Sequence, residues 1–366
     1  MGDSPPERAP APPSRRRGLV RRLLASLLGT VALLLLVEGA AAVLLAWLDA
    51  GDVPGLAEEV HCQHDPLLGW RNQRDRRFAD LYGPGRDLTT DSRGFRGREE
   101  IADAIPPGRY RVLCLGDSFT LGYGVGDAST WPAQLAALAP AIQAANLGQG
   151  GYGIDQCYLA YRRDAAEIAA DLVVLAFIAP DFERILEARF QGEYAKPLLR
   201  LAGGSLVLPE DPLPDDWSRG ETGRRFSRTF TGLRLAELLD RIARRRHPGP
   251  RLALDAAGRP LYAALGEAIL RDLARLARER GHDLALVHLP LLDRRAGSPS
   301  TLLAWLGPLA AELGVPLVDL TADFDALPPG EIDSYYLPDG HPNVHGHRLI
   351  AATVRRRLQA IFPELP

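Results

Sequence analysis

The sequence predicts an α/β chain, a doubly wound three-layer sandwich on a mostly parallel sheet, with one membrane-spanning helix ahead of it. Three observations predict this. The strongly apolar runs RYRVLCL (109–115), DLVVLAFI (171–178) and DLALVHL (283–289) recur with helix-period segments between them. Strands this apolar are buried on both faces, and intervening helices supply the cover. Residues 23–48 carry a single charge, Glu38, and the 366-residue chain leaves about 310 residues beyond that segment, enough for one large domain.

The elements follow in order. Residues 1–22 read as a disordered basic tail, Pro-rich at first and ending in Arg15, Arg16, Arg17, Arg21 and Arg22. Residues 23–48 make a helix of roughly 39 Å, long enough to cross a bilayer with some tilt. The arginines stay inside under the positive-inside tendency, so the remainder lies outside the cytoplasm. A carboxylate in mid-span is expensive, so Glu38 is expected to be protonated or paired to a partner helix. Gly39-Ala40-Ala41-Ala42 keeps a cleaved signal peptide open as a second reading, although VLLAWL continues the apolar run without a break.

Residues 49–108 are polar and rich in Gly, Arg and Asp, and read as loops with a small hairpin packed on the main domain. From 109 the pattern is regular: a strand, a helix at 129–138, the strand AIQAANL, the Gly-rich GQGGYG, a helix at 155–170 and the strand at 171–178. Residues 182–229 are too long for an ordinary connection. They read either as a cap over the carboxyl ends of the strands, where open α/β sheets bind ligands, or as a peripheral excursion. Helices are expected at 230–246, 261–280, 301–313 and 344–359, with the strands DLALVHL and PLVDL among them.

A net charge of −3 supplies no global basic field, which argues against nucleic acid as a partner. The three cysteines include no CxxC; Cys114 reads as a buried small hydrophobe, and a Cys62–Cys157 disulfide stays open.

The run RYRVLCL delivers the chain into Gly116-Asp117-Ser118-Phe119-Thr120, and Asp339-Gly340-His341-Pro342-Asn343 follows some 220 residues later. A serine hydroxyl barely ionises near neutral pH and needs an imidazole to take its proton, so Ser118 with His341 as base and Asp339 as orienting carboxylate forms a complete proton-transfer set. Asp117 competes with Asp339 for that role, but its adjacency to Ser118 suits it better to bracing the turn.

With Asn146-Leu147-Gly148-Gln149-Gly150-Gly151-Tyr152-Gly153 between them, these blocks resemble the SGNH/GDSL hydrolase family over residues 109–360. The resemblance implies a flavodoxin-like sandwich, a catalytic Ser118, Asp339 and His341, and no cofactor. It also implies an oxyanion site built from the Ser118 and Gly148 amides and an asparagine after the third strand. That last position holds Pro180, which has neither a side-chain donor nor an N–H. Asn146 and Gln149 are the candidate replacements. His341, His345 and His347 beside Asp339 suggest a metal site, but Pro342 separates them from a regular helix and positions two apart do not share a face, so no metal is expected.

Residues 64–99 resemble a region preceding this domain in membrane-anchored bacterial members. Trp70, Arg71, Arg93, Phe95 and Arg96 are read there either as cleft-lining groups or, for the two aromatics, as core anchors. The implied protein is a single-pass inner-membrane serine esterase or deacylase with an extracytoplasmic catalytic domain, acting on O-acyl esters of envelope glycans or lipids. Two rivals stand beside it: an O-acyltransferase of cell-envelope polysaccharide, and a non-catalytic glycan-binding or assembly protein of the same fold.

Overall fold

The computed structural model describes residues 15–51, 60–190, 194–215, 234–235, 238, 259–292, 299–328 and 330–366. The chain divides into two units, Met1–Gly55 with Gly220–His247, and Leu56–Arg219 with Pro248–Pro366.

In the first unit, helix α1 (Arg15–Gly51) runs unbroken for 37 residues. This corrects the expected boundary of the tail: arginine is a good helix former, so the basic run extends the helix instead of preceding it. Residues 1–14 lie outside the described residues. The segment Arg21–Leu45 is long and apolar enough to cross a membrane once, and its leucines up to Leu44 face outward. Within the same unit the Glu38 carboxylate accepts the backbone N–H groups of Arg234 and Leu235, while Leu235 and Leu238 pack on Ala41 and Leu45. Of the helix expected at 230–246, the other residues lie outside those described.

The second unit begins with an antiparallel hairpin, β1 (Cys62–Asp65) and β2 (Gly69–Asn72), and a short pair, β3 (Arg77–Phe78) and β4 (Leu88–Thr89). Its central sheet contains β5 (Tyr110–Leu115), β6 (Ile142–Asn146), β7 (Leu172–Phe177), β12 (Asp283–His288) and β13 (Leu317–Asp319), in the spatial order β13-β12-β7-β5-β6. Every pairing in it is parallel. Alternate residues of each strand enter two separate cores. Leu113, Leu115, Val173 and Leu175 meet α4 (Ile154–Asp164), α6 (Ala263–Glu279) and α7 (Pro299–Leu313) on one face. Val112, Cys114, Val174 and Ala176 meet α3 (Trp131–Leu138), α8 (Thr321–Asp325) and α9 (Val344–Gln359) on the other. This is the doubly wound sandwich expected. The chain steps from β5 to β6 and then crosses to β7 on the opposite side of β5, so the order reverses at the carboxyl end of β5. Open α/β sheets leave a crevice at such a switch point.

Helix α4 stops at Asp164, short of the expected 170, because Ala165 and Ile168 turn inward against the sheet. Within the insertion, the short α5 (Pro180–Glu183) leads to the hairpins β8 (Arg189–Phe190) with β9 (Tyr194–Ala195) and β10 (Arg200–Ala202) with β11 (Ser205–Val207). Residues 216–229 of the insertion lie outside those described. Cys62 and Cys157 are buried thiols and form no disulfide; Gln149 Nε2 lies 3.0 Å from Cys62 Sγ.

Candidate active site

Strand β5 ends at Leu115, and the chain turns through Gly116 and Asp117 into α2 (Ser118–Leu121). Asp117 caps this helix, its Oδ1 accepting the Phe119 N–H at 2.9 Å. That is the bracing role expected of it. Ser118 is the first residue of the helix, and its own N–H has no protein acceptor among the described residues.

On the facing loop Gly340 adopts φ +88, a left-handed conformation that glycine reaches without steric penalty. The turn is closed by Leu337 N–H donating to His341 O at 2.7 Å and Gly340 N–H to Leu337 O at 2.9 Å. Asn343 fixes its exit by capping α9, with Oδ1 accepting from His345 N at 2.8 Å and Gly346 N at 3.2 Å. These turns bring His341 Nε2 to 2.9 Å from Ser118 Oγ. Asp339 holds the loop through Oδ1, which accepts the His341 N–H at 3.1 Å, and its Oδ2 lies 3.3 Å from His341 Nδ1. The Nδ1 contact is electrostatic, short of a well-aligned hydrogen bond. The nearby imidazole nonetheless holds the Asp339 carboxyl below its ordinary range.

Two aromatic rings to which the sequence assigned no role grip the imidazole. Tyr123 stacks on it with centroids 5.2 Å apart, and Phe119 lies tilted at 5.4 Å. Their only sequence signal is position, one and five residues after the serine, within reach of anything docked on the nucleophile turn.

The expected oxyanion donors are arranged differently from the expectation. Gly148 N–H donates to Asn146 Oδ1 at 2.9 Å, so that amide is committed to its own loop. Asn146 Nδ2 donates to Thr120 O at 2.9 Å, and Gln149 Nε2 turns to Cys62. All three are bracing groups, and Gly148 is there for space: a Cβ would lie 2.2 Å from Leu121 N. Among the described residues, the amides of this loop without a protein acceptor are those of Gly150 and Gly151. Pro180 occupies the first position of α5, and Asp181 Oδ2 accepts the Ile178 N–H at 3.0 Å, so this turn offers no side-chain amide.

The basic and aromatic residues of the extension are structural. Trp70 is fully buried and donates to Gly150 O at 2.9 Å, and Phe95 is buried in the same core. Arg96 is buried and donates to Leu121 O, Gly122 O, Asp87 O and Val125 O at 2.6–3.0 Å, while pairing with Asp127 at 3.2 Å. Arg93 binds Ile101 O and Asp103, and Arg71 binds Arg93 O beside Asp65 and Asp164. His347 is also structural: Nδ1 accepts the Trp131 N–H at 3.2 Å, and burial lowers its pKa to about 3.

Residues 114–349, well over half of the chain, match the sequence model of the GDSL-like Lipase/Acylhydrolase family. The chain belongs to this family. Membership carries hydrolytic, ester-cleaving activity in general terms. No curated protein matches the chain. Among solved structures, it is similar to a lipolytic G-D-S-L family member from Veillonella parvula, with 16% identity and TM-score 0.40, over 70% of this chain and 100% of that one. The lipase/acylhydrolase from Enterococcus faecalis gives 14% and 0.41, over 69% and 96%. The acetylxylan esterase Axe2 from Geobacillus stearothermophilus gives 16% and 0.40, over 68% and 94%.

Proposed function

We propose that this GDSL-family chain is a membrane-anchored serine esterase or deacylase that removes O-acyl groups from envelope glycans or lipids on the outer side of a bacterial inner membrane. The observation that carries the reading is the 2.9 Å contact between His341 Nε2 and Ser118 Oγ at the switch point of the sheet.

In this mechanism Ser118 Oγ attacks the ester carbonyl as its proton passes to His341 Nε2. The Nδ1–H side of the imidazolium faces Asp339, which stabilises the positive charge. The oxyanion is held by the Ser118 amide, which has no protein acceptor among the described residues, together with an uncommitted amide of the Gly150-Gly151 pair on the Gly-rich loop. His341 returns its proton to the departing alcohol, leaving Ser118 acylated. A water deprotonated by His341 then releases the carboxylic acid and restores the serine.

A non-catalytic rival draws on Pro180 and on the commitment of Gly148, Asn146 and Gln149 to structural bonds. The close Ser–His contact favours the esterase. Full-length protein purified from a membrane fraction is expected to hydrolyse short p-nitrophenyl esters, and S118A to lose at least about 10³-fold in kcat. Equal rates for a folded S118A and the wild type would defeat the proposal.

A further inference from the structure

The segment that opens the insertion carries two cations inward, toward the carboxylates behind Ser118. Arg184 Nη1 lies 3.5 Å from Asp117 Oδ2 and donates to Tyr152 O at 3.0 Å and to Asp181 Oδ1. Asp117, Tyr152 and Asp181 belong to the nucleophile turn, the Gly-rich loop and the turn after β7, so one nitrogen joins the three segments that shape the crevice. The same Asp117 Oδ2 lies 3.4 Å from Ser118 Oγ, which puts the guanidinium within about 7 Å of the hydroxyl. Behind it Lys196 Nζ pairs with Asp155 Oδ2 at 2.5 Å, both side chains fully buried, and donates to Arg184 O at 2.9 Å. The arginine is thereby held from its backbone as well as from its tip. Phe190 of β8 lies on its guanidinium at 5.5 Å and covers Gly151 so closely that a Cβ there would sit 2.5 Å from the ring.

We infer that Arg184 is a positioning residue, a single clamp that holds the Gly-rich loop, through Tyr152 O, against the nucleophile turn and offsets the buried negative charge of Asp117 and Asp181 where a second negative charge must form. Asp117 and Asp181 are both buried, and a carboxylate in that setting without a cation would oppose an oxyanion beside Ser118. The burial of Asp181 and its proximity to Asp117 already push its pKa well up. A guanidinium also suits the task because its flat face packs on the Phe190 ring, which a compact lysine ammonium does not reproduce. The inference rests on the esterase reading for its kinetic consequence and on geometry alone for the clamp.

The test compares full-length wild type with Arg184→Met and Arg184→Lys by two readouts: kcat and KM on a short p-nitrophenyl ester, and amide hydrogen exchange over residues 148–153. R184M is expected to lose about 10²-fold in kcat with KM within about threefold, as misplacement of a reacting group by about 1 Å does, and to exchange faster in that loop. R184K keeps the charge and is expected to recover about tenfold of the loss, with intermediate exchange. A folded R184M with wild-type kcat and wild-type exchange overturns the inference. If R184M does not fold, R184K decides, because wild-type values of both readouts in it overturn the clamp equally. If wild type proves inactive, the esterase reading fails while the exchange arm still decides the clamp: faster exchange in the variants upholds it, and unchanged exchange rejects it.

Discussion

Pro180 is the residue at which this chain departs most from the chemistry its blocks imply. It starts α5 beside the crevice and supplies no hydrogen-bond donor. P180N adds an amide at a helix N-terminal position that tolerates asparagine, and one oxyanion donor is worth about 10²–10³-fold. It is therefore expected to raise kcat on simple esters by about tenfold or more, read by initial rates at saturating ester. No gain in a folded P180N would mean that the amide does not reach the oxyanion. At this scale the approach of Ser118, Asp339 and His341 to one another was legible, since a serine after an apolar strand and an Asp-Gly-His turn are written in adjacent residues. The donors were not. Gly148 and Gly151 look alike in a glycine-rich run, and only the folded loop reveals that Asn146 Oδ1 takes the Gly148 amide. Arg184 was invisible for a related reason, because its three acceptors come from segments far apart in the chain.

Among the elements, the extension before β5 is as much a part of the site as the sheet. Arg96 delivers its guanidinium to the carboxyl end of α2 at Leu121 O and Gly122 O, where a helix favours positive charge, while its backbone N–H bonds Asn146 O at 2.9 Å. It joins the nucleophile helix to the end of β6. Removing it takes the closest cation from buried Asp127, leaving the Thr89 N–H and the exposed Arg98, and strands several carbonyls, so Arg96→Leu is expected to destabilise the fold by about 3–5 kcal/mol in chemical denaturation, with R96K recovering little. A loss below about 1 kcal/mol would mean that the extension is a passive cover. The apolar strands and long amphipathic helices were legible because their period repeats over whole elements. The small hairpins were not, since β8, β9, β10 and β11 are two or three residues each and are paired by contacts no local pattern records. The basic groups of the extension read as cleft-lining, whereas the structure gives Arg71, Arg93 and Arg96 structural partners.

At the scale of the whole molecule, one apolar span accompanies an α/β hydrolase-family domain. α1 is apolar along Arg21–Leu45, long enough for a single membrane anchor, and has arginines at its amino end; the proposed orientation, with the second unit outside the cytoplasm, follows the positive-inside tendency. Glu38 fits a spanning helix better with its carboxylate capped by the Arg234 and Leu235 amides than alone, since an unpartnered carboxylate in hydrocarbon is expensive. The central claim, a reactive serine on the outer side of the membrane, is tested most directly by a membrane-impermeant fluorophosphonate probe. It is applied to intact bacterial spheroplasts carrying the full chain, with adducts mapped by peptide mass spectrometry and S118A as control. The account predicts a phosphonyl adduct on Ser118 in intact spheroplasts and none in S118A. An adduct that forms only after lysis would contradict the orientation, and a folded wild type without an adduct even after lysis would contradict the nucleophile itself.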